Sequence, residues 1–123
     1  MKILITWRDL ELENGAYNES YTAGLRKQLV EKESRGETAV MELQLAEETA
    51  PERFRARMGN FFADEELQTR YIEAAAHCRR RLKNCRALER WVLACPRPMP
   101  EAFIRRLGER LEGTLTLQAP GPG

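Results

Sequence analysis

A chain of 123 residues with 42% hydrophobic side chains is long enough for one domain with its own core, and too short for two of ordinary size. Its 32% charged residues nearly cancel, to a formal net charge of +1, which excludes the strongly basic balance of a dedicated nucleic-acid binder. No apolar run approaches the roughly 20 residues that cross a bilayer, and Arg8-Asp9 cut the apolar start too short for a signal-peptide core, so a cytoplasmic protein is expected.

The first element is a strand over Lys2–Trp7. Its run Ile3-Leu4-Ile5 suits a central strand covered on both faces. Asn14-Gly15 is a strong hairpin signal, but no convincing return strand follows it, so a loop or a short strand extension is expected there. Tyr17, Tyr21, Leu25 and Leu29 recur every fourth residue and predict a helix that ends near Gly36, a natural left-handed cap. Ala39, Met41, Leu43 and Leu45 alternate with polar residues and predict a strand over Thr38–Leu45, one face buried and the other largely wet. Thr49-Ala50-Pro51-Glu52 has the form of a capping box and predicts a short helix stopped by Gly59-Asn60.

From Phe61 to Cys95 there is neither Gly nor Pro, and Leu67, Tyr71, Ala74, Cys78, Leu82, Cys85, Leu88 and Val92 recur at steps of three and four. That spacing predicts one long amphipathic helix, with Lys83-Asn84 as the place where it would bend or break. Phe103, Ile104, Leu107 and Leu111 predict a last helix closed by Gly113, and Leu115 and Leu117 a final short strand. The expected fold is α+β (or small α/β), mostly helical. Four helices pack on a sheet of about three strands with Lys2–Trp7 in the middle, as one domain over residues 1–118 with a flexible tail over 119–123.

No set of residues has the spacing of a catalytic or ligand motif. His77, Cys78, Cys85 and Cys95 are strung along one predicted helix rather than paired two to four apart, so neither metal nor other cofactor is expected. An odd number of cysteines, three, suits a reducing compartment. Glu11/Glu13 and Glu47/Glu48 fall on predicted loops or wet faces, and Glu89, inside the apolar stripe, is expected either to pair with an arginine from another helix or to mark where the stripe leaves the core. An enzyme is therefore not expected.

The best functional signal is basic. Residues 1–50 carry six Lys/Arg against ten Asp/Glu, and residues 51–123 fourteen against nine. On the helical wheel Arg79, Lys83, Arg86 and Arg90 fall in one row, with Trp91 pointing away from the apolar seam. Arginines beside an exposed aromatic have the makeup of an interface anchor. These five residues are the expected binding surface of an adaptor, regulator or inhibitor whose partner is a protein with an acidic face. The alternative is a nucleic-acid-binding regulator using the same basic face, less favoured because no aromatic is interleaved with the arginines, and self-association is a further option. Membrane binding is not expected.

Overall fold

A computed structural model describes residues 1–13, 15–111 and 115–118, so Asn14, Gly113 and the tail over 119–123 lie outside the described residues. The elements are β1 (Lys2–Thr6), α1 (Trp7–Leu10), β2 (Glu11–Glu13), β3 (Ala16–Tyr17), α2 (Glu19–Ser34), β4 (Ala39–Gln44), α3 (Glu65–Arg81), β5 (Leu88–Ala94), α4 (Glu101–Arg110) and β6 (Leu115–Gln118). Two 3₁₀ stretches, Glu47–Thr49 and Glu52–Ala63, fill the connection from β4 to α3. The fold is mixed α+β.

The main sheet has the order β1-β4-β5-β6, with every pair parallel. A strand always lies beside the next main-sheet strand along the chain, and a helix separates each from its successor. Successive β/α units of this kind are the repeat of a β/α barrel, here as four strands with two edges. Ile5, Leu43 and Leu93 are in register across the first three strands, as are Ile3, Met41 and Trp91. All six are buried and form one core with Leu25, Leu29, Leu67, Phe103 and Leu107 of the helices. The alternate residues face the other way. Lys2, Leu4 and Arg90 are exposed, Val40, Gln44 and Ala94 half-buried, and only Glu42 and Val92 at its centre are buried among its described residues. The helices therefore cover one face of the sheet and leave the other open.

Several expectations are corrected. β1 lies at an edge, not in the middle, and Leu4 is 53% exposed, so its apolar run is covered on one face only. Gly15 does belong to a hairpin, since β2 pairs antiparallel with β3 and Gly15 takes φ +78°. The return strand is two residues long, below what alternation can reveal. Thr49 is not the expected cap: its hydroxyl donates to the Ala46 carbonyl, and the cap position of the next turns is Pro51, with no side-chain cap bond. The succeeding turns are 3₁₀, and they break at Asn60 (φ −116°, ψ 24°), where a stop was expected, before a further turn runs to Ala63.

The largest correction concerns the long helix. α3 starts at its N-cap Asp64, whose carboxylate accepts from the Leu67 amide, and it stops at Arg81. The Leu67 amide and the Arg57 guanidinium hold the Asp64 carboxyl below the usual aspartate range. Asn84 then takes φ +67°, a conformation Asn tolerates better than most residues, and the chain turns back into β5. The break falls at Lys83-Asn84, as expected, but the next element is a strand rather than more helix.

Candidate functional site

The open sheet face carries the most unusual polar group. Glu42, in the centre of β4, is 5% exposed although its face has no helix over it. A buried carboxylate needs partners. Lys2 Nζ from β1 lies 3.0 Å from Oε1, and Gln44 Nε2 donates to Oε2 at 3.1 Å. The three side chains project together because residues 42 and 44 share a face and Lys2 is two positions short of Leu4, the register partner of Glu42. The ammonium is half exposed, so the group is built into the sheet yet meets solvent from one side. Thr6, Gln44 and Ala94 lie at the carboxyl ends of their strands, where β/α barrels place their functional residues.

A second buried carboxylate, Glu11, is saturated. It accepts from Trp7 Nε1 at 3.1 Å, from the Gly15 amide at 3.3 Å and from Arg53 at 2.9 Å. It pins the β2–β3 hairpin to the body and forms part of the wall of a cleft of about 510 Å³ beside α3. The other acids of that cleft are also engaged, Glu73 by Arg110 and Glu65 by Arg106. The sequence pattern alone puts this carboxylate on a wet surface. Its partners come from distant sequence, so nothing local announces them.

The cysteines are poor nucleophiles. Burial pushes the Cys78 thiol up to about 12 and raises Cys95 at the end of β5 and Cys85 in the turn. His77 stacks on Tyr17 at 4.2 Å and lies 2.5 Å from Glu19, which also meets Arg81. That contact ties the hairpin and α2 to α3. Among the described residues no group of His, Cys, Asp and Glu converges as metal ligands would, and no helix is long and apolar enough to cross a membrane.

The basic row is distributed differently from expectation. Arg79 is on α3, Lys83 and Arg86 are in the turn, and Arg90 and Trp91 are on β5. Arg79, Lys83, Arg90 and Trp91 nevertheless line one hollow of about 370 Å³. Arg86 does not line it and extends into solvent toward Glu33. Trp91 is buried at 2% exposure, facing the core rather than solvent, so it forms the floor of the hollow and cannot act as an exposed anchor. Arg90 pairs with Glu89, which is exposed and also accepts from Thr38, instead of being buried in an apolar stripe.

No protein-family description and no curated protein matches the sequence. Solved structures of endo-glycoceramidase II from Rhodococcus sp. do match the fold. Its cellobiose-like imidazole complex gives a TM-score of 0.77 at 13% identity, over 93% of this chain and 39% of that one. Its cellobiose-like isofagomine complex and its lactosyl-enzyme intermediate each give 0.80 at 13% identity, over 98% of this chain and 41% of that one. The chain thus spans about two-fifths of the length of the structures it matches. The expectation that this is not an enzyme is corrected on that finding, since the fold is one on which an enzyme with a lactosyl intermediate is built. What the likeness shows, at 13% identity, is the fold alone.

Proposed function

We propose that this chain is part of a glycoside-processing enzyme of the β/α type, with its open sheet face turned toward the sugar. The observation that supports this reading is the Lys2–Glu42–Gln44 group. It sets a carboxylate, an amide and an ammonium on the uncovered face of a fold shared with an enzyme that takes cellobiose-like ligands and carries a lactosyl intermediate. Sugar hydroxyls are recognised by such mixed donors and acceptors, and charged acceptors give the stronger bonds. Glycoside cleavage ordinarily uses two carboxyl groups about 5–9.5 Å apart. Glu42 supplies one at the centre of this face, and the remainder of the fold would bring the other. The three free thiols fit a reducing compartment, and the cytoplasm is the proposed location.

Calorimetric titration of the chain with cellobiose and with lactose tests this directly. Millimolar, saturable binding is expected. Glu42→Gln should weaken it about tenfold or more, since a hydrogen bond to a charged group is worth about 1.5–3 kcal/mol. Absence of heat and of NMR shifts at β4 with either disaccharide would remove the reading.

A second reading is favoured by the basic hollow. We propose that Arg79, Lys83 and Arg90 there receive acidic side chains of a protein that regulates, or is regulated by, this chain. Retention on immobilised polyglutamate should fall in Lys83→Glu, with the fold unchanged by circular dichroism. Equal retention of the variant, or retention on heparin alone, would count against a protein partner.

A further inference from the structure

We infer that a second copy of this chain covers the open sheet face, pairing β6 of each copy with β1 of the other to close an eight-stranded barrel. The inference rests on the fold and not on the glycan reading.

Four lines of observation lead to it. The main sheet is parallel, runs in chain order and has helices on one side only, so its open face has the character of a barrel lining. Among the described residues the outer edges of β1 and β6 have no strand beside them, and parallel sheets rarely leave a face and two edges uncovered. Two copies give eight strands, the number at which this architecture closes. Head-to-tail order around the ring makes the two seams identical, as a two-fold axis requires.

The residues on the face suit that occupant. Leu4 is 53% exposed on it and shares a row with Val92 across Glu42 of β4, while Val40 stands opposite Lys2. Branched apolar side chains in layers are what fill a barrel of this size. The charges of the face are already answered within one copy, Glu42 by Lys2 and Arg90 by Glu89, so they do not repel a second. A net charge of +1 adds little long-range repulsion. In the structures that share the fold, more than half of the chain lies beyond the part matched here. A second copy would add a second part of the matched size. It would also bring a second Glu42 to the face, where among the described residues of one copy Glu42 is the central carboxylate.

Sedimentation velocity and light scattering on the full chain test the inference. The expected species has twice the chain mass. Leu4→Arg should shift it to monomer, weakening association at least about tenfold by setting an unpaired charge in the seam. Leu4 is exposed within one copy, so the variant should keep its circular dichroism spectrum, and Leu4→Gln serves if it does not. Arg86→Ala, in the exposed turn away from the seam, should remain dimeric. A wild-type chain that stays monomeric, or a dimer that survives both Leu4 substitutions, overturns the inference. A monomer that binds cellobiose would sink it while leaving the glycan reading intact, and a dimer indifferent to both sugars would do the reverse.

Discussion

Truncation of Trp7 to alanine should cost about 3–5 kcal/mol, a large part of the roughly 5–15 kcal/mol by which a domain of this size is stable. Trp7 is 1% exposed and sits where β1 enters α1. Its ring stacks on Phe54 at 5.1 Å and meets the edges of Tyr71 at 5.3 Å and Phe61 at 6.4 Å. Two segments distant from it in sequence, the 3₁₀ stretch and α3, are thereby held by one side chain. Such aromatic pairs add about 0.5–1.5 kcal/mol beyond the area they bury. The indole N–H also donates to Glu11, so its removal takes a donor from a carboxylate that is 2% exposed. Urea unfolding followed by circular dichroism should show the midpoint fall sharply. Trp7→Phe, which keeps a ring but not the N–H, should fall between the alanine variant and the wild type. A loss below about 1 kcal/mol in Trp7→Ala would show that the cluster is not the keystone its geometry indicates.

Leu93→Ala should cost about 2–5 kcal/mol. Leu93 is fully buried in β5 and stands opposite Leu43, which stands opposite Ile5. Shortening it opens a void in the row where sheet meets helices, and a packed core collapses only partly around such a void. Val92→Ala, one residue away and facing the open side, is the matched comparison and should cost less in a single copy. Equal losses at 92 and 93 in chemical denaturation would mean that the two faces are equally packed, contrary to the helices lying on one side.

Elements with a single clear period are legible in the sequence. In α2 the fourfold spacing of Tyr21, Leu25 and Leu29 names the helix, although Tyr17, the first of the series, lies on β3, and in β4 the alternation of Ala39, Met41 and Leu43 names the strand. In α4, Phe103, Leu107 and Leu111 name the buried stripe, and all three are buried. β5 is hidden because Leu88 and Val92 continue the stripe of α3, while Trp91 and Leu93 give the competing period of two. Local spacing cannot choose between them. The backbone reversal at Asn84 decides it. Glu42 and Glu11 look wet in the sequence because polar residues alternating with apolar ones usually are. Their burial depends on Lys2 and Arg53, which tertiary contact alone brings near. The basic row survives in part: three cations and Trp91 still line one hollow, but the helix expected to carry them ends before Lys83 and Arg90.

Because every strand of the main sheet is laid against its predecessor, the molecule can be assembled in the order in which a ribosome makes it. A nascent chain that has released β1, α2 and β4 already holds a parallel crossover unit, and each later helix and strand adds to a template whose register is set. No strand has to wait for a distant one to emerge before it can be placed.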